Sequence, residues 1–367
     1  MSLQIANPLL KKSLTKNYIV KKADVLKDRE IMLEILKKNR SRENYSYEDR
    51  YDWIYLRNPD GNAIPWIIWN QEKGIPVGFT AVFPRRVLVD GKEQLCWNCG
   101  DFSIETRYRS LGVAIQLRTE AKRGVENGKV DFLYAHPNDR MAIVHLKAGH
   151  VRLGYMQRYA LPLRIDNYFN TRFKNETLSK IMALPANLLL NMNLLFRKQR
   201  YGLNYMLHSI PKFESKHTDI FYEFAKKFRI IGIRDRIYLK WKYLDNPNYQ
   251  YSLIDFYHRD KFVGYVLFSN KNSVISIVEF IVYPEEFVYD ALVLFIKLVR
   301  KTFPGVSSIS TVTFENNYII PFLKKLNFQY RNDATSSVIT YANPDSHLED
   351  LIYNKDSWFM SIGDRDA

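Results

Sequence analysis

The chain has 367 residues, 46% of them apolar and 25% charged, with 54 Lys and Arg against 39 Asp and Glu for a net charge of +15. That length exceeds a typical single domain and suits two, each able to bury its own core, and the apolar content excludes a disordered chain. The positive charge favours polyanionic partners: phosphorylated cofactors, nucleic acid or an anionic membrane surface.

Residues 1 to 22 are basic with scattered apolar positions and read as an arm or a first helix. The first apolar cluster, Ile5 to Leu10, is short and runs into Lys11 and Lys12, which is not the pattern of a signal peptide, so a cytoplasmic location is expected. Val25, Leu26, Ile31, Met32, Ile35 and Leu36 recur at helical spacing and predict an amphipathic helix over 25 to 38, followed by a polar loop from Asn39 to Asp49. Tyr45, Tyr47, Tyr51 and Trp53 follow, readable as core residues or as a surface for stacking on a sugar ring. Trp66 to Trp69 and Ile75 to Phe83 read as strands, Val87 to Val89 as another, Asp90-Gly91 as a turn, and a central strand starts near Gln94. Cys96 and Cys99 form a C-x-x-C pair within that strand. Three residues of extended chain separate their Cα atoms by about 10 Å, beyond disulfide reach, and no second pair completes a zinc site, so both are expected as free structural thiols and no metal is expected.

Asp101 to Leu117, DFSIETRYRSLGVAIQL, carries the most chemistry. Phe102, Ser103, Ile104, Glu105 and Thr106 alternate apolar and polar, a half-buried strand. From Gly112 the apolar positions Val113, Ala114, Leu117, Ala121 and Val125 recur at helical spacing, so a helix starts near Ser110 to Gly112. The opening of a helix is an anion site: its first N–H groups lack partners and its dipole is positive there. Gly112 has no Cβ to obstruct a phosphate, and Arg109 adds a fixed charge.

Arg109-Ser110-Leu111-Gly112-Val113-Ala114, with Phe102-Ser103-Ile104 before it, resembles motif A of the GNAT superfamily of N-acetyltransferases, Arg/Gln-x-x-Gly-x-Gly/Ala. The resemblance implies that this turn holds the pyrophosphate of acetyl-coenzyme A while the strand pairs with its pantetheine arm. It implies a cofactor site at Phe102, Ser103, Ile104, Arg107, Arg109, Ser110, Leu111, Gly112, Val113, Ala114 and Asn138. Val130 to Ala135 reads as the next strand, diverging from its neighbour in this family, and a helix is predicted from about Asp139 to Ala148 after His136-Pro137-Asn138. The family spacing of Asn, Tyr, Gly and Phe falls on Asn138, His145, Gly149 and His150, so histidine stands where the family has its tyrosine acid. His145 is therefore a candidate general acid, set against a packing role on the helix face. Asp101 is a candidate general base, set against a structural carboxylate, and His136 is a lesser one.

Residues 155 to 165 are expected to complete the first sheet. The apolar run from Ile181 to Phe196, flanked by Lys180, Arg197, Lys198 and Arg200, is too short and polar for a bilayer helix and reads as a linker or as a basic segment lying on a membrane. The chain then restarts. Trp53-Ile54-Tyr55-Leu56-Arg57-Asn58-Pro59 recurs as Trp241-Lys242-Tyr243-Leu244-Asp245-Asn246-Pro247, and Val77-Gly78-Phe79 as Val263-Gly264-Tyr265. The second copy lacks the phosphate turn: after Val278 to Val282 it reads Tyr283-Pro284-Glu285-Glu286-Phe287-Val288-Tyr289-Asp290, whose acids repel phosphate.

The expected fold is thus α/β (α+β), with two tandem GNAT-like domains, each a mixed, mostly antiparallel central sheet flanked by helices. The expected boundaries are 20–168 for a domain with the acetyl-coenzyme A site, 169–215 for a basic and apolar linker, 216–345 for a degenerate second domain and 346–367 for a tail. The resemblance implies an N-acetyltransferase with acetyl-coenzyme A as co-substrate and a primary amine as acceptor, an amino sugar of a surface polysaccharide precursor being preferred. No DNA partner is expected, and the basic 172–200 region is a candidate for peripheral contact with an anionic membrane. A Fem-type aminoacyl-tRNA-dependent transferase and a non-enzymatic GNAT-fold binding module stay open as alternatives. The acids and the terminal carboxylate of the tail are a further source of a catalytic group, because similar tandem enzymes insert their C-terminus into the active site.

Overall fold

A computed structural model describes residues 17–40, 42–166 and 197–365, with positions 169, 175, 177–178, 181–185 and 187–188 between them. Most of the apolar run at 181–196 and of the basic 172–200 segment lies outside the described residues, as do Asp366 and Ala367. Among the described residues no helix is long and apolar enough to cross a membrane.

The first half begins with an edge strand, β1 (Tyr18–Lys22), where the sequence suggested an arm or a helix; it pairs antiparallel with β2 (Ile64–Asn70). Two helices separate these strands, α1 (Arg29–Asn39) and α2 (Tyr47–Tyr51), and α2 runs on into a π-helical turn at Asp52–Leu56. The stretches Ile75 to Phe83 and Val87 to Val89 merge into one strand, β3 (Ile75–Val89), which makes a hairpin with β4 (Lys92–Ile104). The hairpin closes at Asp90 and Gly91, both at positive φ (46° and 76°), the pair of left-handed residues that lets a two-residue turn match the strand twist. Then come α3 (Leu111–Glu126), β5 (Phe132–Ala135), α4 (Asp139–Lys147) and β6 (Val151–Pro162).

The second half repeats this order. It holds β7 (Asn204–His208), α5 (Ser215–Ala225), β8 (Ile230–Gly232) and α6 (Arg236–Leu239), the last again running into a π-helical turn, at Lys240–Leu244. After these follow β9 (Ser252–His258), β10 (Lys261–Lys271), β11 (Val274–Val282), α7 (Val288–Thr302), β12 (Ser308–Phe314), α8 (Ile320–Lys325), β13 (Gln329–Ala342), α9 (Glu349–Tyr353) and the short β14 (Trp358–Phe359).

All strands belong to one sheet, ordered β1-β2-β3-β4-β5-β13-β6-β12-β11-β10-β9-β7, with β8 joining β3 to β14. Pairing is antiparallel apart from β4–β5, β11–β12 and β8–β14. The two halves exchange a strand. The expectation that residues 155 to 165 would complete the first half's own sheet is altered: β6 runs beside β12 and β13, and β13 of the second half lies against β5.

Helix α3 covers one face of the first half. Val113, Leu117, Ala121 and Val125 are buried against Trp66, Val82, Trp97 and Leu133. The helix comes so close that a Cβ at Gly124 would lie 2.2 Å from the Trp97 ring, so only glycine fits there. α1, α2 and the π-helical turn after α2 cover the opposite face through Met32, Leu36, Tyr51 and Trp53. Cys96 and Cys99 are buried thiols that form no disulfide.

Candidate functional site

β4 and β5 pair in parallel only from Trp97↔Leu133 to Cys99↔Ala135. Beyond that point β5 has ended and β4 runs on to Ile104, so the strands open into a wedge with one side of β4 uncovered. A bulge opposite Thr80 lies in this stretch, where the β3–β4 register shifts between Phe79 and Ala81 and Asp101 takes φ +37°. The bulge turns Asp101 toward α1 and α2 while Phe102 packs on the α3 side.

At the mouth of the wedge α3 begins. Ser110 is its N-cap, its Oγ accepting from Val113 N at 3.3 Å, which leaves the amides of Leu111 and Gly112 with no carbonyl behind them. Arg109 is fixed across the mouth by donating from Nε to Ile104 O (2.9 Å) and from Nη2 to Asn39 Oδ1 (2.9 Å). Facing it, Asn138 caps α4 by accepting from Met141 N at 3.0 Å. These elements enclose an open cleft of about 490 Å³. Of the residues expected at a cofactor site, Phe102, Ser103, Ile104, Arg109, Ser110, Leu111, Ala114 and Asn138 line it, and Gly112 is not among the lining residues.

Other expected residues fall elsewhere. Arg107 sits on a 3-10 turn (Thr106–Tyr108), mostly exposed and paired with Glu105 at 3.2 Å, outside the cleft lining. Val113 points into the core, 2% exposed. The sequence reading missed Asn39, Arg40, Arg140, Met141, Ile143 and Val144, which complete the cleft. The last four sit on the helix after Asn138, and its apolar period carried that signal; nothing local in the sequence places Asn39 and Arg40 there.

None of the three candidate catalytic side chains lines the cleft. His145 is buried on the inner face of α4 with its Nδ1 2.8 Å from His150 Nδ1, one ring donating to the other. Burial, with Arg118 and His150 nearby, drives its pKa well below the ordinary value, so the ring is held in the neutral form and does not carry the imidazolium proton a general acid would deliver. Asp101 is a locked carboxylate. Its oxygens accept from Arg50 Nη1 (2.6 Å), Arg40 Nη1 (3.0 Å) and Tyr55 Oη (3.2 Å). Burial alone would raise its pKa, but the two guanidiniums outweigh it and hold the carboxyl below its usual range. His136, just past β5, has both ring nitrogens buried without a partner, and burial beside Arg365 lowers its pKa to about 3.

The tail docks at the same wedge. Asp364 O accepts from Asn98 Nδ2 (3.2 Å) and Tyr134 Oη (3.1 Å), and Arg365 O from Lys242 Nζ (2.7 Å). The Asp364 carboxylate is clamped by Arg234 Nη2 at 2.6 Å, and Arg234 also holds Glu279 at 3.0 Å. Of the aromatic residues considered for sugar stacking, Tyr47, Tyr51 and Trp53 are core residues and Tyr45 packs against them.

No protein-family model matches this chain, and no curated protein matches it either. Its structure does have counterparts. A conserved Enterococcus faecalis V583 protein described as a probable N-acyltransferase aligns with TM-score 0.65 at 13% identity, over 89% of this chain and 72% of that one. A tandem GNAT protein of the clavulanic acid biosynthesis pathway aligns with TM-score 0.54 at 12% identity, over 90% of this chain and 99% of that one. The fold is that of tandem GNAT proteins. Saccharomyces cerevisiae N-myristoyltransferase with bound myristoyl-CoA also aligns, with TM-score 0.54 at 13% identity, over 89% of this chain and 79% of that one. Within this tandem GNAT fold the two halves differ at the start of the motif helix. Helix α7 begins after Phe287 with no side-chain cap, and Glu285 and Glu286 occupy the turn where α3 has Arg109 and Ser110 nearby.

Proposed function

We propose that the chain is an acyl-coenzyme A-dependent N-acyltransferase that uses the first-half cleft and transfers a short acyl group to a primary amine. The observation that carries this reading is the juxtaposition at the wedge of three things: the open helix start at Leu111-Gly112, the Arg109 guanidinium, and the uncovered run of β4. A pyrophosphate fits the helix start, and an extended amide arm fits beside a strand that lacks a neighbour. Solved structures of the same fold include an enzyme holding myristoyl-CoA.

In this reading alternate backbone N–H groups of β4 past Cys99 polarise the thioester carbonyl and hold the tetrahedral oxyanion. The neutral amine attacks the carbonyl carbon, the C–S bond breaks, and the thiolate leaves. A thiol is acidic enough (cysteine's pKa is about 8.5) for its anion to depart without prior protonation, and His145 is assigned no proton transfer. Asp101 is assigned the positioning of Arg40 and Arg50, and the amine gives its proton to water. A tRNA-dependent transferase would make no use of the α3 start, so the acyl-coenzyme A reading is preferred. An amino sugar enters the acceptor screen as one amine among others, since its expected stacking surface is core.

The test is a thermal-shift titration with acetyl-coenzyme A on the wild type and on Gly112→Glu, whose carboxylate obstructs and repels pyrophosphate. Ligand at 100 times its dissociation constant adds about 2.7 kcal/mol to the native state. A rise in melting temperature that is lost in the variant supports the reading, and no rise in the wild type overturns it.

A further inference from the structure

Arg118 is a guanidinium with almost nothing to hold. It lies on α3 one turn below Ala114, which lines the cleft, and it is 1% exposed. Nη2 donates to Thr80 Oγ1 at 2.6 Å, while Nε and Nη1 are buried without a hydrogen-bond partner. Among the described residues no carboxylate comes within ion-pair distance of it. Other buried arginines of this protein are compensated: Arg50 by Asp101, Arg234 by Glu279 and Asp364. An isolated buried cation costs several kcal/mol, so its retention calls for a reason.

Its position supplies one. Thr80 is the β3 residue opposite the β4 bulge, so the guanidinium reaches under the bulge from the α3 side. Its carbon lies 5.4 Å from the centroid of the Phe102 ring, and Phe102 lines the cleft. On the α4 side stand His145 and His150, and His150 Nε2 is a further buried nitrogen without a partner. Arg118 and His150 do not line the cleft themselves; they lie just behind its inner end between α3 and α4, and make the layer there polar, cationic and under-satisfied. The cleft also has apolar walls, Ala114 and Val144.

We propose that Arg118, with the free nitrogen of His150, forms an anion-accepting layer behind the inner end of the cleft, so that this site prefers a short acyl group terminating in a carboxylate over the hydrocarbon acyl group of equal length. The inference rests on the acyl-coenzyme A reading of the cleft. A carboxylate supplies what Arg118 lacks, two acceptors for a planar fork of donors. A long hydrocarbon chain would instead drive methylenes against an unpaired guanidinium.

The experiment is a thermal-shift and competition titration with free coenzyme A, butyryl-coenzyme A, succinyl-coenzyme A and myristoyl-coenzyme A, repeated on Arg118→Met and on Arg118→Lys. Succinyl-coenzyme A is expected to bind about tenfold or more tighter than the butyryl thioester. In Arg118→Met that difference should collapse, and Arg118→Lys should recover part of it. Where Arg118→Met does not fold, the lysine variant and Thr80→Val, which releases the guanidinium, carry the comparison. A wild type that responds to free coenzyme A but ranks butyryl or myristoyl with or above succinyl overturns this inference alone. A wild type that responds to no coenzyme A species overturns the proposed function and this inference with it.

Discussion

Trp53 and Trp241 stand 188 residues apart, and each donates its indole N–H to the other's backbone carbonyl, at 2.7 and 3.0 Å, with the rings stacked at 4.9 Å. The two copies of the repeated segment meet here about a local two-fold relation. Each tryptophan sits in a π-helical turn, at Asp52–Leu56 and Lys240–Leu244. Trp→Ala at either position removes a large buried ring and leaves a carbonyl unpaired, an expected cost of about 3–5 kcal/mol. The double variant should lose less than the sum, with coupling of about 1 kcal/mol or more, read by urea unfolding.

Asp101→Asn separates a structural carboxylate from a general base. Arg50 would be left buried and under-compensated, for a loss of about 3–5 kcal/mol in urea unfolding. A second change, Arg50→Met, should restore part of that stability. A base would behave otherwise, with turnover falling steeply while the unfolding midpoint held.

Acid should weaken this fold through three histidines. His136, His145 and His150 have folded-state pKa values below the ordinary value, His136 and His150 at about 3, with burial as the leading cause in each. The unfolded chain, with histidines near 6.5, therefore binds more protons below that pH. Their contribution is intact above pH 6.5 and is lost as pH falls toward 3, at about 2 kcal/mol by pH 5 for His136 and for His150. Melting temperatures at pH 7 and pH 5 should differ sharply in the wild type and less in His150→Gln.

Turnover should not follow those rings. Because His145 is neutral and engaged with His150, kcat/KM for amine acylation should rise with pH as the acceptor deprotonates, with no inflection near 6.5. His145→Gln tests this by leaving the shape of the profile unchanged; a lost acid limb would restore His145 as the proton donor.

The tail clamp is expected to be asymmetric. Arg234→Met strands Glu279 and Asp364 together in the interior, whereas Asp364→Asn leaves Arg234 its Glu279 partner. The arginine variant should be the less stable by about 1–2 kcal/mol in urea unfolding and should open residues 358–365 to limited proteolysis sooner.

Local signals were readable from residue order. Helix α3 starts at Leu111, and Ser110 and Asn138 cap as their side chains suggest, because capping and periodicity are determined within a few residues. The repeat was legible for the same reason: Trp53 and Trp241 occupy like places in like segments. What depended on distant partners was not legible. His145 and Asp101 stand out by position along the chain, and only the folded neighbours, His150 for one and Arg40 and Arg50 for the other, show how each side chain is engaged. The exchange of β6 and β13 was equally hidden, since the pairing of a strand is set by which edge it meets and not by its own alternation. β1 was short and basic enough to resemble an arm.

The shared strands bear on why a second half whose helix start carries Glu285 and Glu286 in place of an arginine and a serine cap persists. β13 supplies the ladder partner of β5, the strand whose early end opens the cleft in the other half. After such an exchange, mutation is free to erode the chemistry of one copy but not its backbone, because deleting that copy would leave β5 an unpaired edge. Inheritance of the second half would then be enforced by the first, and divergence should concentrate at its turn near Glu285 and Glu286 while sparing β12 and β13.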